Sequence, residues 1–270
     1  MKPRPATERE CDQLWAAVSA ERLMDTPEDL REYWAAGTWR VRIMGHGEAA
    51  LLGAWRQHLD VLAIRGVWAA SRHVPVFAQD AVDVARVHGF GRVLSPLLPV
   101  GLLHGYHEAG MSDVCRIVAI QGVPESIKRV ASPPGVALRE AHVRDRAAMA
   151  ALDAECFDDF WHYGAEELAT MLVRERCVLA ETTEGEIIGY TLATAIRGSA
   201  VLSRLCTAPR QRRKGVGAFL LSDVGSWFRE RRVSTVALCT QEENMASRAL
   251  YASAGLVEID ERYAFAMRDV

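Results

Sequence analysis

The chain has 270 residues, a formal net charge of -3, half of its residues apolar and a quarter charged. That length suits two domains of roughly 130 residues each, and the composition suits a packed globular protein rather than a disordered or fibrous one. Acidic and basic residues are mixed along the chain, so neither nucleic acid nor a membrane is expected as a partner. The six cysteines, Cys11, Cys115, Cys156, Cys177, Cys206 and Cys239, are widely spaced with no CxxC pair. A zinc site or a disulfide framework is therefore not expected, and no metal is assigned. Scattered cysteines of this kind fit a reducing cytoplasm. The N-terminal stretch has no apolar core of the kind a secretory signal needs, and no apolar run reaches the roughly 18 residues of a membrane span.

In chain order, residues 9–35 carry apolar positions near a 3.6 spacing, with Pro27 interrupting. Strand-like runs follow at Trp39–Met44, Ala49–Trp55 and Leu59–Trp68. Asp80–Val87 reads as a helix closed by Gly89, Val93–Leu98 as a short strand, Val100–Ala109 as a helix closed by Gly110, and Val114–Gln121 as a strand. Gly122–Gly135 holds three prolines and two serines and reads as a linker with a helical turn near Glu125–Arg129. Val136–Arg139 then reads as a strand, and Val143–Cys156 and Glu166–Arg176 as helices. Cys177–Thr182 and Ile187–Ile196 form a hairpin around Glu184-Gly185. Ala200–Thr207 is a strand, Gly215–Arg229 a helix, Val233–Thr240 a strand, Asn244–Ala254 a helix closed by Gly255, and Val257–Met267 the last strand. Strands interleaved with helices imply an α/β (α+β) mixed sheet with helices on both faces.

One segment carries chemistry on its own. Arg212-Arg213-Lys214-Gly215-Val216-Gly217-Ala218 lies between a strand and a long apolar helix. Glycines let a backbone approach a ligand closely. A helix start offers free N–H groups and the positive end of a dipole, and flanking basic side chains add charge. The combination suits a diphosphate. It is not a Walker loop, because Lys214 precedes its glycine. It is not a dinucleotide fingerprint either, because Gly215-Val-Gly217-Ala-Phe-Leu220 lacks the third glycine.

The run from Leu202 through Pro209 to Gly217 resembles the GNAT (GCN5-related) N-acetyltransferase pattern, in which a strand and a proline turn lead into R/Q-x-x-G-x-G/A. Asn244-Met-Ala-Ser-Arg-Ala249-Leu250-Tyr251-Ala-Ser-Ala-Gly255-Leu256 resembles the family's N-x-x-A-x-x-L-Y-x-x-x-G-F segment, with Leu256 in place of the phenylalanine. The hairpin Val178–Thr182 and Ile187–Tyr190 resembles the family's second and third strands, so the likeness spans residues 136–267. It implies an acyl-CoA N-acyltransferase (GNAT) fold with acetyl-CoA as cosubstrate. It also implies direct transfer of acetyl to a primary amine in a ternary complex, the acceptor being a small molecule or a peptide and the protein a monomer or homodimer. On this likeness Leu205, Cys206 and Thr207 border the pantetheine arm. Arg212, Arg213, Lys214, Gly215, Val216, Gly217 and Ala218 hold the diphosphate, and Asn244 contacts cofactor or water. Tyr251 protonates the departing thiolate. Asn244 equally suits a helix N-cap, and Tyr251 a packing position.

The general base is less determined, since Leu202–Leu205 carries no carboxylate. Glu155, Asp158, Asp159, Glu242 and Glu243 are the candidates, with Glu243 and Asp159 preferred. Cys206 is not expected to act as a nucleophile. The first half shows an internal echo: setting Ala109-Gly110-Met111 on Ala254-Gly255-Leu256 places Tyr106 opposite Tyr251 and Pro99 opposite Asn244. Between Trp68 and Asp80, however, there is no glycine, so a diphosphate site is not expected there. The domain reading is residues 1–122 as a degenerate GNAT-like or accessory lobe, 123–135 as linker and 136–270 as the catalytic lobe. The alternative function is an acyl-CoA-binding or sensing module without turnover.

Overall fold

The first predicted helix is broken at Leu14 and again before Thr26 in the computed structural model, which describes every residue except Arg22, His46, Gln57 and Arg197. After β1 (Arg4–Pro5), Thr7 caps α1 (Glu8–Gln13), and α2 (Trp15–Ala20) follows directly. Thr26 caps α3 (Pro27–Ala35), accepting from the Asp29 N–H at 3.1 Å while Pro27 occupies the first turn. A Thr-x-x-acid sequence is a start signal, so the expected helix 9–35 is three helices; Arg22 within it lies outside the described residues. The next elements are β2 (Val41–Met44), β3 (Glu48–Trp55), β4 (His58–Trp68) and α4 (Val74–His88). α4 starts earlier than the expected Asp80 because Pro75 sits in its first turn, where a missing N–H costs nothing. β5 (Arg92–Leu94) and β6 (Leu98–Pro99) are separate strands, since Pro96 cannot continue a ladder. A 3-10 turn and α5 (His104–Glu108) replace the longer helix expected over 100–109, and β7 (Ser112–Gly122) follows.

The second half matches its expected order: β8 (Val136–Glu140), α6 (Arg146–Cys156), α7 (Ala165–Arg174), β9 (Arg176–Thr182), β10 (Ile187–Ile196), β11 (Ser199–Thr207), α8 (Val216–Glu230), β12 (Thr235–Gln241), α9 (Met245–Ser253) and β13 (Val257–Asp269). Among the described residues no helix is long and apolar enough to cross a membrane.

The compact units are divided differently from the sequence expectation of 1–122, 123–135 and 136–270. One holds Met1–Arg116 with Tyr263–Val270, and the other Ile117–Arg262. The reason is an exchange of strands. The last part of β7 pairs antiparallel with β12, from Ile117↔Gln241 to Gly122↔Val236. The last part of β13 pairs with β5, from Met267↔Leu94 to Asp269↔Arg92. Residues 123–135 are also more than a tether. Ile127 is buried against α8, where a Cβ on Gly225 would lie 2.7 Å from its side chain. Arg229 donates to the Pro124 carbonyl at 2.6 Å, and Val130 N–H to Ser222 Oγ at 2.9 Å.

Each unit is a sheet between two helical layers. In the first, α4 and α5 cover one face around Leu62, Ile64 and Val82, while α1 to α3 cover the other around Val41, Leu51 and Leu30. In the second, α8 and α9 pack on Leu202, Val236 and Leu238, and α6 and α7 on Leu179, Tyr190 and Leu192.

The two units repeat one topology in detail. β4 and β5 pair in parallel at three positions, Val61↔Arg92 to Ala63↔Leu94, and β11 and β12 at three, Ser199↔Thr235 to Val201↔Ala237. Beyond the last pair each longer strand has a bulge, at Arg65 (between Gly66↔Leu51 and Ile64↔Leu52) and at Ser203 (between Arg204↔Leu192 and Leu202↔Ala193). Setting Ser203 on Arg65 brings the 3-10 turn Pro209–Gln211 onto Ser71–His73. The registers then part. α4 starts at once, whereas Arg212–Gly215 intervene before α8, and both helices run 15 residues. The first unit is thus the second with the four-residue loop removed.

Ending the chain at Arg262 strips β5 of its antiparallel neighbour, leaving only β4 beside it, and removes buried Phe265. The expected loss is about 4 kcal/mol or more from the first unit, visible in calorimetry as an early separate transition and as rapid proteolysis within residues 1–116.

Candidate active site

Beyond Val201 and Ala237 the parallel strands diverge. β11 continues to Thr207 hydrogen-bonded to β10, and β12 to Gln241 hydrogen-bonded to β7. Their facing edges exchange no further ladder bonds, so a wedge opens in the sheet. The bulge at Ser203 controls what lines it. Residues three apart on a regular strand face opposite ways, yet Leu202 and Leu205 both join the cluster that holds Tyr251, because the extra residue resets the alternation. Arg204 and Cys206 face the α6 side instead.

At the open end of the wedge, Arg212 to Ala218 form a bare anion cradle. Arg213 and Gly215 have φ of 64° and 86°; for arginine that is an uncommon, strained conformation of the kind found at ligand sites. Gly215 caps α8 without a side-chain hydrogen bond, and the first helical bond is Phe219 N–H to Gly215 O at 2.9 Å. Among the described residues the six N–H groups from Arg213 to Ala218 have no protein partner. Thr207 Oγ1, on the adjoining strand end, is buried and also unpartnered. A Cβ on Gly217 would lie 3.4 Å from that oxygen and from Leu250. α8 is held close to the sheet at Gly189, where a Cβ would meet Cys206 O at 2.8 Å and Leu220 at 2.9 Å. Unsatisfied donors, an orphaned hydroxyl and positive charge together fit a diphosphate carried by an extended arm.

Tyr251 lies on the wedge side of α9 and is 6 % exposed. Burial raises its phenol well above the ordinary value, with Cys239 adding to the effect and Arg204 opposing it, so it stays protonated through the neutral range. Its hydroxyl has no hydrogen-bond partner among the described residues. Asn244 is the α9 cap, accepting from Ser247 N–H at 3.1 Å. Opposite, Asp153 of α6 is fully buried and bonded on both oxygens. It accepts from Arg204 Nε at 3.0 Å and Tyr163 N–H at 2.7 Å, and also from Arg204 Nη2 and the Tyr190 hydroxyl. The Arg204 guanidinium stacks 3.5 Å from the Phe157 ring centroid and 4.2 Å from that of Tyr163, and donates to Trp161 O at 2.8 Å.

Residues 146–256 match the family described as Acetyltransferase (GNAT) family. This segment belongs to the GNAT superfamily. Its members are N-acetyltransferases, and the fold binds acyl-CoA. The chain is similar in fold to a GCN5-related N-acetyltransferase from Sphaerobacter thermophilus, at 18% identity over 99% of this chain and 95% of that one, with TM-score 0.67. A tandem GNAT protein from the clavulanic acid biosynthesis pathway matches at 17% over 99% and 97%, TM-score 0.67. A GCN5-related N-acetyltransferase from Kribbella flavida matches at 16% over 99% and 71%, TM-score 0.66. No curated protein matches the sequence.

Within this GNAT unit the expected cradle, strand-end and helix-cap residues converge on the wedge, but the expected carboxylates do not sit in its buried part. Glu243 and Asp159 are both exposed. Glu155 pairs with Arg210 at 3.2 Å, Glu242 with Arg262 at 3.6 Å, and Asp158 accepts from Phe160 N–H at 3.1 Å. Burial together with the Cys156 thiol pushes Cys206 far up, which keeps it a neutral thiol. Sequence reasoning missed two carboxylates, one fully buried and one half-buried. Asp153 is one, and Glu175 is the other. Burial raises the Glu175 carboxyl above its ordinary value and the Ser203 hydroxyl at the bulge opposes this; Oε2 is buried with no partner. Glu175 directly follows the last turn of α7, and nothing in the local pattern marks it.

Replacing Arg204 by Met leaves the Asp153 charge buried and uncompensated, an expected loss of about 3–5 kcal/mol. Adding Asp153→Asn restores most of it. Urea denaturation of the single and double variants measures both.

Proposed function

We propose that the second unit is an acetyl-CoA-dependent N-acetyltransferase acting on a primary amine by direct transfer in a ternary complex. The observation that carries this reading is the cradle of six unpartnered N–H groups opening onto a wedge that contains the buried, unpartnered Thr207 hydroxyl and is lined by Tyr251.

In this reading Arg212, Arg213, Lys214, Gly215, Val216, Gly217 and Ala218 bind the diphosphate. Fixed N–H dipoles neutralise an anion without reorganising. The open edge of Leu205, Cys206 and Thr207 receives the amides of the arm, and the Asn244 amide nitrogen supplies a further donor. Direct transfer needs the amine held against the acyl carbon, and alignment of this kind contributes much of the rate. Tyr251 delivers a proton to the departing thiolate; its buried phenol is protonated at every working pH and faces no competing protein acceptor. Glu175 takes the amine proton, directly or through water, in preference to Glu243 and Asp159. A carboxylate with a raised pKa is a stronger base, and Glu175 shares a hydrogen bond with Ser203, the bulge residue at the wedge. Phe157, Trp161 and Tyr163 beside the acidic pair Asp158 and Asp159 suit a cationic, partly apolar acceptor.

Thiol release from acetyl-CoA across a panel of amines tests the reading. Tight acetyl-CoA binding with no turnover on any amine would instead support a binding or sensing module. Tyr251→Phe is expected to lower kcat by about a hundredfold or more with acetyl-CoA affinity nearly unchanged. Gly217→Glu abolishes acetyl-CoA binding without altering the melting curve, because the added carboxylate occupies the cradle.

Glu175 also predicts a pH dependence. Its active form is the carboxylate, and burial raises its pKa, so kcat/KM falls as pH drops through a value above the ordinary carboxylate range. Glu175→Gln should remove that limb and lower kcat about a hundredfold. A pH profile with the same acidic limb in the variant would assign the base elsewhere.

A further inference from the structure

Two thiols meet beside the cradle of the second unit, and the acetyl transfer proposed above uses neither sulfur. Cys156 closes α6, and Cys206 lies near the end of β11. Each side chain reaches across to the other's element. Cys156 Sγ donates at 3.3 Å to the carbonyl of Thr207, the residue directly after Cys206. Cys206 Sγ points back to the carbonyl of Leu152, one helical turn before Cys156, at 4.0 Å. The two thiols also share a hydrogen bond with each other.

The pair is unequal. Cys206 is buried in the cluster that holds Leu152, Tyr190 and Leu192. That burial, with the Cys156 thiol beside it, keeps Cys206 protonated. Cys156 is half-buried. The hydrogen bond from Cys206 lowers its thiol below the ordinary value, and the charge and hydrogen bond of Arg212 add to this, while burial and Asp153 oppose it. An accessible thiol beside an arginine, with a donor that stabilises its anion, is a nucleophilic one. A second sulfur within hydrogen-bond reach allows an oxidised sulfur to be resolved as a disulfide. The buried thiols elsewhere differ: burial raises Cys11 to about 11 and Cys177 to about 12, which keeps both inert.

We propose that Cys156 and Cys206 form an oxidisable thiol pair, in which a small hydroperoxide modifies Cys156 and Cys206 resolves the product as an intramolecular disulfide. The Cys156 thiolate attacks one peroxide oxygen. An S–O bond forms, the O–O bond breaks, and the departing oxygen takes a proton from water. The sulfur loses two electrons and the peroxide gains them. Cys206 then attacks the sulfenic sulfur. An S–S bond forms, the S–O bond breaks, and the Cys206 proton leaves with the oxygen as water. A dithiol restores both thiols by exchange.

The disulfide acts on the strand end next to the cradle. Cys156 no longer donates to Thr207 O, Arg212 loses the thiol it faces, and the last turn of α6 becomes covalently fixed to β11. Phe157, whose ring stacks on Arg204, directly follows the new bond. The oxidation is read from masses and thiol counts, so it stands or falls separately from acetyl transfer.

The test treats the full chain with a stoichiometric dose of hydrogen peroxide, quenches it in acid, alkylates the remaining thiols and maps the tryptic peptides by mass spectrometry. The expected result is the loss of two of the six thiols, reversed by dithiothreitol, with a disulfide joining the peptides Ala147–Arg174 and Leu205–Arg210. Cys206→Ala should stop at the sulfenic acid, which dimedone labels at Cys156. Cys156→Ala should leave Cys206 a free thiol at the same dose. Melting curves show that each variant is folded, and the map of the unaltered chain decides the matter where one is not. The proposal is overturned if Cys156 and Cys206 both stay reduced, if Cys156 proceeds to the sulfinic acid with Cys206 still free, or if Cys206 is oxidised in folded Cys156→Ala.

Discussion

A pair of parallel strands that stop pairing after three rungs is the constraint on which both units depend. Parallel strands buried between helical layers normally continue pairing, because each backbone group left without a partner inside a protein costs about 1–3 kcal/mol. Here β11 and β12 separate after Val201↔Ala237, and β4 and β5 after Ala63↔Leu94. The strands on either side of each gap remain fully paired with their outer neighbours. The sheet is therefore rigid right up to the edges of the wedge, and the exposed edges are held ready for a ligand. The bulges at Ser203 and Arg65 belong to the same device, since they decide which side chains turn toward the gap.

Four residues then separate the two wedges chemically. α1 and α3 begin with threonine capping boxes, in which Thr7 and Thr26 accept from the third helical N–H and the Glu10 and Asp29 carboxylates accept from the cap N–H. α8 begins with a glycine that offers no cap, preceded by an arginine in a strained conformation. A helix that leaves its first turn bare next to an orphaned hydroxyl has its missing partner outside the protein. α4, of equal length and in the same topological place, has neither the bare row nor the strain. The difference between the units lies in an insertion of Arg212–Gly215, and the frame around it is unchanged.

Much of the second unit was legible from sequence, and for local reasons. Gly215 and Gly217 behind basic residues, the Glu184-Gly185 turn, and the closing Gly255 each act within a few residues of themselves. What could not be read was long-range. Asp153, Tyr190 and Arg204 meet although they are 37 and 51 residues apart, and an arginine within an apolar strand gives no sign of the carboxylate it will meet. The exchange of β7 and β13 was invisible for the same reason: a strand's pattern encodes its faces and leaves its neighbour unspecified. The first unit was obscured by its deletion. The Tyr106–Tyr251 echo found the right helices, with closing glycines at φ 76° and 83°. The absence of a glycine motif, however, hid a wedge whose register matches the second unit residue for residue.

The buried Asp153–Arg204 pair shows how such a wedge stays open without collapsing. A buried ion pair is a poor source of net stability, because desolvating both charges roughly cancels their attraction. Its value here is geometric. Arg204 lies one residue past the bulge, and its bidentate grip on α6 fixes the direction of β11 where the strand has lost its neighbour. The same guanidinium stacks between Phe157 and Tyr163 and bonds Trp161 O, so the loop following α6 is tied to that strand. The tip of the loop, Asp158 and Asp159, remains exposed. In the proposed reaction this arrangement divides the labour. The strand and the base of the loop are locked by charge and stacking and set where the reacting atoms sit. Choice of acceptor then falls to the exposed tip, which can vary without disturbing the wedge.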